Sequence, residues 1–355
     1  MREETRGAGA LDGSMKSIVY TQTGAPEVFK LIEREAAEPG PDEVRVRVIV
    51  SGVNPTDWKA RTGSGDGATL PAPQVPNQDG AGIVDVVGAN VTHVTPGDRV
   101  WIWDAAFKRT EGTAQELTNI PARQVVKLPA GASFDIGASV GIPALTAHRA
   151  LTAREGGPDE LGPGTLAGTT ILVAGGAGAV GHAAIQLAIW SGATVITTVS
   201  SDAKAELATR AGAQHVINYT TEDVVARIRD IDAAGVAIIV EVNPNVNIDI
   251  DLEVIAMGGT IAIYAGSGSE KLAFPERAIM MKNVRIQGIM TYTTRPEQKH
   301  AAVHAVSAAI RDGALNVGEE NGLPLMRFPL ERTGDAHRAV EDSAVGKVLI
   351  DVASA

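Results

Sequence analysis

The residues with the clearest chemical potential are glycines. Ile171-Leu172-Val173-Ala174 is an apolar run, and Gly175-Gly176-Ala177-Gly178-Ala179-Val180-Gly181 follows it directly. Gly176, Gly178 and Gly181 fit the pattern G-x-G-x-x-G. Between a strand and a helix, that spacing permits a tight turn, close approach of a pyrophosphate and close helix–strand packing. The helix N-terminus then offers unpaired N–H groups and a partial positive charge to the anion. A glycine-rich turn in a purely structural βαβ unit is the plainer alternative, and the strand–loop–helix–strand context is what weighs against it. No Gly-Lys-Ser/Thr follows, so a kinase-type P-loop is excluded. Gly176, Ala177, Gly178, Ala179, Val180 and Gly181 are therefore the predicted dinucleotide-binding segment.

The next strand indicates which dinucleotide. An NAD site usually carries Asp or Glu about twenty residues on, where it binds the ribose hydroxyls. Here Thr194–Val199 ends in Ser200-Ser201, and Asp202 comes only in the following turn. Lys204 sits in the first turn of the next helix, where a cation opposes the helix dipole and is not explained by helix stability. Ser200, Ser201 and Lys204 are well placed for a 2′-phosphate, so NADPH is the predicted cofactor.

Composition bounds the rest. The 355 residues are 44% hydrophobic and 21% charged, enough for two ordinary domains with sizeable cores. There are 31 Lys and Arg against 42 Asp and Glu, a formal net charge of −11. Such a chain, with no basic run, is a poor candidate for nucleic acid or an anionic membrane. The absence of cysteine excludes disulfides, thiolate zinc, iron–sulfur clusters and cysteine nucleophiles. No apolar stretch reaches the roughly 18 residues of a membrane span. The opening residues lack the apolar core of a signal peptide, so a cytoplasmic location is expected.

These motifs need elements to hold them. Residues 1–14 read as a disordered tail. From Ser17 to about Gly141 the chain shows short apolar runs cut by Gly, Pro and Asp, including the alternating Val44–Val48, Gly82–Gly88 and Asp98–Trp103. Many short strands predict a partly closed β-barrel. A helix is expected over Ala138–Leu151, then a Gly/Pro-rich loop over 154–168 that reads as a mobile flap. Strands at Thr170–Ala174, Thr194–Val199, His215–Ile217, Val236–Glu241 and Thr260–Tyr264 then alternate with helices at Ala179–Ser191, Asp202–Ala211, Glu222–Asp230 and Asp249–Ile255. That alternation predicts an α/β fold with a doubly wound parallel sheet covered by helices. A further strand at Val284–Gly288, a helix at Pro296–Asp312 and a final strand at Lys347–Val352 complete the chain.

Several segments together resemble the zinc-free quinone oxidoreductase (zeta-crystallin-like) branch of the medium-chain dehydrogenase/reductase superfamily. They are Ser51–Lys59, Asn77-Gln78-Asp79-Gly80-Ala81-Gly82, Pro96–Val100, the glycine loop, Ala211–Tyr219 and Gly346-Lys347-Val348. The resemblance implies a GroES-like β-rich catalytic domain over 15–142 and 293–355, with a Rossmann NADP(H)-binding domain over 143–292. It also implies an active site in the cleft between them, and a homodimer. Zinc-dependent relatives place a cysteine where Asn54 stands and Gly-His-Glu where Asn77-Gln78-Asp79 stands, so no metal is expected. The seven histidines are scattered, and only His300 and His304 share a helical spacing, on a face expected to be solvated.

By position, the resemblance assigns Asn54, Thr146, Tyr219, Asn243, Tyr264, Ala265, Gly266, Gly346 and Lys347 to the cofactor. Thr146 resembles the threonine near the nicotinamide, and Tyr219 the tyrosine near the adenosine 2′-phosphate. Asn54 and Lys59 are the expected catalytic residues, donating hydrogen bonds or a proton to the substrate oxygen, while Asp57 and Asp79 are expected to be structural. The implied activity is NADPH-dependent reduction of a small-molecule quinone or α,β-unsaturated carbonyl. The alternatives are an enoyl reductase of a biosynthetic pathway, or a dinucleotide-binding protein with a structural or regulatory role.

Overall fold

Alternating valines start the first sheet. In Val44-Arg45-Val46-Arg47 the valines are fully buried, while Arg45 faces outward to Asp85 at 2.6 Å. The computed structural model describes residues 14–65, 67–266, 268 and 270–354. The tail expected over 1–14 lies outside these, except Ser14, which opens the first strand.

The chain divides into two units. One takes the chain up to Lys127, Phe328–Asp342 and the stretch from Ile350 on; the other takes Leu128–Arg327 and Ser343–Leu349. The first unit contains β1 (Ser14–Gln22), β2 (Lys30–Glu35), β3 (Glu43–Val53), α1 (Pro55–Thr62), β4 (Thr69–Gln74), β5 (Asp79–Val87), β6 (Arg99–Ile102), β7 (Leu117–Pro121) and β8 (Val125–Lys127). β1 lies between β2 and β4. β3, β5, β6 and β8 are successive neighbours, and β7 pairs with the first half of β3. All these pairings are antiparallel. Val44, Val46, Val84, Val100, Ile102, Ile120 and Val125 form one buried cluster on this framework.

The second unit contains α2 (Phe134–Leu151), β9 (Thr170–Ala174), α3 (Ala179–Trp190), β10 (Thr194–Val199), α4 (Asp202–Arg210), β11 (His215–Asn218), α5 (Val224–Ile231), β12 (Val236–Glu241), α6 (Pro244–Val254), β13 (Ile255–Ile263), α7 (Glu276–Lys282), β14 (Arg285–Gly288) and α8 (Pro296–Arg311). The sheet order is β11-β10-β9-β12-β13-β14, and every neighbouring pair is parallel. This is the doubly wound order, whose strand order reverses beside β9, the strand that feeds the glycine loop. Val236, Ile238, Ile239 and Val240 are each 0% exposed, as a central strand covered on both faces requires. β15 (Leu325–Pro329), α9 (Thr333–Glu341) and β16 (Lys347–Asp351) end the chain. No helix among the described residues is long and apolar enough to cross a membrane.

Three expectations need correction. The helix expected at Asp249 starts five residues earlier, at Pro244. Ile248-Asp249-Ile250-Asp251 alternates like a strand, but Pro244 at the first helical position, directly after Asn243, decides the matter. β13 begins at Ile255 rather than Thr260 because Gly258, at φ +69°, carries the strand through an irregularity in its pairing with β12. The loop 154–168, expected to be a mobile flap, is fastened at two points. Leu161 and Leu166 are buried, their N–H groups donating to His148 Nε2 at 3.2 Å and to the Ser191 carbonyl at 2.8 Å.

Candidate functional site

The glycine loop is built for a ligand to approach backbone. Gly175 turns the chain at φ +70°, a conformation that costs glycine nothing. The N–H groups of Gly175 and Gly176 donate to the Thr198 carbonyl at 3.1 and 3.3 Å, which pins the loop to β10. A Cβ on Gly176 would lie 2.1 Å from Thr197 Oγ1, and one on Gly181 would lie 2.4 Å from the Gly175 carbonyl oxygen. A Cβ on Gly178 would meet nothing closer than 3.5 Å. So Gly176 and Gly181 are required by packing, whereas a Cβ on Gly178 would make only an ordinary van der Waals contact at the helix start. Gly178 is the N-cap of α3 and supplies no side-chain cap. The first-turn N–H groups of Ala179, Val180 and Gly181 are therefore directed outward without a side-chain acceptor at the cap. Ala177 is buried, and Ala179 and Val180 are half-buried. Gly175 was not among the expected site residues. Its positive φ is set by the pinning to β10, which no local pattern reveals.

At the end of β10, Lys204 Nζ donates to Ser200 Oγ at 3.0 Å, and Ser201 Oγ accepts the Lys204 N–H at 3.3 Å as the N-cap of α4. Asp202 is exposed and accepts from Asn218 Nδ2 at 3.1 Å. The strand tip thus carries two hydroxyls and an ammonium, with the nearest acid turned to Asn218. Tyr219 follows β11 and is 54% exposed.

A cavity of about 480 Å³ opens at the carboxyl ends of β9, β10 and β12, walled by Gly175, Thr198, Tyr219, Asn243, Val246 and Asn247 among others. Its buried wall includes Glu241 and Asp251, 0% and 1% exposed, which were also not among the expected residues. Tyr264 and Ala265 are half-buried just past β13, and Gly266 is exposed, with no atom nearer than 3.6 Å to an added Cβ. Thr146 is buried inside α2. Gly346 stands at φ +97°, and a Cβ added there would lie 2.1 Å from the Pro324 carbonyl, to which the Lys347 N–H donates at 2.8 Å. Lys347 is 2% exposed.

In the first unit, Asn54 is 2% exposed and its Nδ2 donates to Asp79 Oδ2 at 2.7 Å. Asp57 reaches back to the Asn54 N–H at 2.7 Å and so secures the start of α1. Around them runs a buried network. His337 Nε2 lies 2.8 Å from Asn77 Oδ1, Asn77 Nδ2 donates to Ser51 Oγ at 2.9 Å, and Thr113 Oγ1 donates to the Asp79 carbonyl at 2.6 Å. Burial, with Arg61 nearby, pushes the His337 imidazole down to about 3, so it is neutral in this network. Lys59 lies apart from it. It is exposed, with its ammonium 5.7 Å from the centre of the Trp58 ring. Asn54 and Lys59, expected to act together, therefore occupy different environments.

Zinc does not fit here. The Asn54 amide presents N–H to Asp79, and metal ligands must present lone pairs. Among the described residues no group of three or more His, Asp or Glu side chains could hold a metal ion. His304 is exposed and paired with Glu160, on a solvated helix face. A dinucleotide phosphate does fit: the loop leaves no room for a Cβ at two glycines, and α3 points uncapped N–H groups past the third.

Known proteins share this architecture. Residues 40–130 match the family model for the alcohol dehydrogenase GroES-like domain, and residues 179–308 match that for zinc-binding dehydrogenase. The chain is 30% identical to the quinone oxidoreductase of Rattus norvegicus over 346 residues, covering 95% of this chain and 97% of that one. The structure is similar to Escherichia coli quinone oxidoreductase complexed with NADPH, with TM-score 0.76 and 27% identity, covering 95% of this chain and 99% of that chain. It is similar also to an NAD-dependent alcohol dehydrogenase, with TM-score 0.81 and 27% identity, covering 95% of this chain and 100% of that chain.

Proposed function

We propose an activity from a plain premise: the chain belongs to the zinc-independent quinone oxidoreductase branch of the medium-chain dehydrogenase/reductase superfamily. It is an NADPH-dependent reductase of quinones or α,β-unsaturated carbonyl compounds. The observation that carries the cofactor choice is the tip of β10, where Lys204 is held by Ser200 and no carboxylate competes for a 2′-phosphate. Bound NADPH supplies the hydride. The chain's own residues bind and orient it. Gly175, Gly176 and Gly181 let backbone approach the pyrophosphate, and the first-turn N–H groups of α3 face it. Ser200, Lys204 and Tyr219 take the adenosine phosphate, and Asn243, Tyr264, Ala265, Gly266, Thr146, Gly346 and Lys347 complete the cofactor contacts. With Asn54 engaged by Asp79 rather than set to ligate zinc, no Lewis acid polarises an alcohol, which favours an acceptor that is already electrophilic. The likeness to an NAD-dependent alcohol dehydrogenase extends to the fold, whereas the acid-free strand tip favours NADPH.

The test is NADPH oxidation against a panel of quinones and enones, with NADH as control. Lys204→Glu is expected to weaken NADPH about tenfold to a hundredfold and leave NADH affinity unchanged, since a charge-assisted bond to phosphate becomes a like-charge contact. Equal affinity of the unaltered protein for the two cofactors would refute the assignment. An enoyl reductase would turn over enoyl thioesters in preference to quinones, and a non-enzymatic binder would bind NADPH without oxidising it. Lys59 is proposed to assist enones, whose developing oxyanion needs a donor more than a quinone does. Lys59→Ala should lower enone turnover by about tenfold, less than the roughly hundredfold minimum usual for general acids because water can reach an exposed lysine's place. Quinone turnover should hold; equal turnover of both classes in the variant and the parent would leave Lys59 a surface residue.

A further inference from the structure

Glu241 ends β12, and Asp251 lies on α6 one helical turn beyond Asn247. One oxygen of Glu241 is fully used: Oε1 accepts from the Asn243 N–H and from Asn247 Nδ2, the latter at 3.0 Å. The other, Oε2, and Asp251 Oδ2 are both buried, and neither has a donor. The two carboxyls nevertheless face each other at hydrogen-bonding range. Two bare acceptors in a dry site repel unless a proton lies between them.

Among the described residues no cation acts on the pair. On α6 itself the other charged groups are Asp249 and Glu253, and Tyr264 faces Glu241 from the end of β13. Tyr219, Glu222 and Asp223 stand on the β11–α5 side of the cavity. The nearby cations are engaged elsewhere. Lys282 of α7 donates to the carbonyls of Leu252, Glu253 and Ile255 at 2.6, 2.8 and 3.1 Å. On α5, Arg229 donates to the Ala233 carbonyl at 2.9 Å, and Arg227 pairs with Glu222.

We propose that Glu241 and Asp251 share a single proton, and that this proton holds α6 against β12 and so positions the turn that walls the cavity. Through Glu241 the pair fastens Asn243, Asn247 and Asp251, the cap and first two turns of α6, to one strand end. Asn243, Val246 and Asn247 line the cavity from those turns. Losing the proton would place two negative charges in a site with no counter-ion, and α6 would have to move away from β12. Burial and the neighbouring Glu241 push the Asp251 carboxyl up to about 9, in keeping with a proton retained at neutral pH. These are positioning residues; they touch no reacting atom.

Unfolded, both carboxyls ionise near about pH 4, whereas the folded pair keeps one proton. The pair's stabilisation is full below that pH and is lost as pH climbs towards about 9. Asp251→Asn replaces the shared proton with an amide hydrogen and keeps the same total charge; Glu241→Gln does so from the other side. The experiment follows the melting temperature of the unliganded protein and the NADPH dissociation constant from pH 5 to 10, in wild type and both variants. Wild type should lose melting temperature relative to each variant as pH rises. Its NADPH affinity should fall towards a limit of about tenfold per pH unit above the midpoint, because only the protonated form is competent. Both variants should lack this limb, whatever their affinity at pH 7. Any pH effect outside the pair is common to all three proteins and cancels. Parallel pH courses in wild type and variants would overturn the shared proton. A melting difference without any difference in NADPH affinity would overturn the positioning role. The NADPH arm rests on the proposed function and the melting arm does not, so failure of NADPH to bind at any pH would refute that function and leave the proton standing.

Discussion

Gly181→Ala is expected to weaken NADPH binding by at least a hundredfold. The added Cβ would lie 2.4 Å from the Gly175 carbonyl oxygen and 3.0 Å from both Gly175 C and Gly176 Cα. All three atoms are backbone, so no side-chain rotation relieves the clash. The loop cannot yield either, because Gly175 and Gly176 are bonded to the Thr198 carbonyl. The start of α3 must therefore move outward. Overpacking of this kind costs about 1–3 kcal/mol of stability. The displacement also turns the first-turn N–H groups away from the phosphate position, and losing two hydrogen bonds to a charged group, at about 1.5 kcal/mol or more each, amounts to about a hundredfold. Gly178→Ala is the control for stability: its Cβ has 3.5 Å of clearance, its φ is −81°, and its melting temperature should match that of the parent. Fluorescence titration with NADPH and thermal melting of both variants test this, and wild-type affinity in Gly181→Ala would show that the packing does not set the loop.

Glu341→Ala is expected to cost the first unit about 3 kcal/mol, towards the low end for a broken buried ion pair. Arg61 of α1 has a side chain 1% exposed, and its Nη2 meets Glu341 Oε2 of α9 at 2.7 Å. Its remaining partners are neutral: the Gly24 carbonyl at 3.0 Å and Thr62 Oγ1 at 3.1 Å. Without Glu341 the guanidinium keeps its charge in a dry site. The low end applies because Glu341 is 35% exposed, so water can partly take its place. Arg61→Leu removes the charge along with the bond, so the double variant Arg61→Leu/Glu341→Ala should be more stable than Glu341→Ala alone. Urea unfolding of the three proteins decides it: a cost below about 0.5 kcal/mol for Glu341→Ala, the range of ordinary surface changes, would make the pair incidental. Asn54 is the N-cap of α1, so the helix that Arg61 anchors is the one that carries the Asn54–Asp79 bond.

What was legible in the sequence was whatever local pattern controls. The bounds of β9, β10 and β12 are legible because short runs rich in Val, Ile and Thr follow Gly168, Gly192 and Gly235 within two residues, and the glycine spacing locates the phosphate loop. Other features depend on partners distant in the chain. Gly175 takes its positive φ from bonds to β10, 23 residues on at Thr198. Glu241 and Asp251 meet only because α6 begins at Pro244, and a helix mistaken at its first turn hides an acid pair. Asn54 and Lys59 lie five positions apart, and their spacing suggested cooperation; burial separates them, one wired into a polar network and the other over an indole ring.

The fastened loop after α2 has a consequence for how this chain can change. A connection's cost grows slowly with length, about 0.6 kcal/mol for each doubling. This one brings its own attachments, Leu161 into the His148 imidazole and Leu166 into the Ser191 carbonyl. Burial holds His148 down to about 3, so that anchor keeps its accepting nitrogen at any pH a living cell meets. Residues 154–160, ahead of the first anchor, can lengthen, shorten or take on foreign sequence while β9 still enters the sheet in register. Segment 161–166 cannot. The boundary between a replaceable stretch and an immovable one thus falls at a single leucine, which makes the stretch ahead of Leu161 a natural place for grafted sequence.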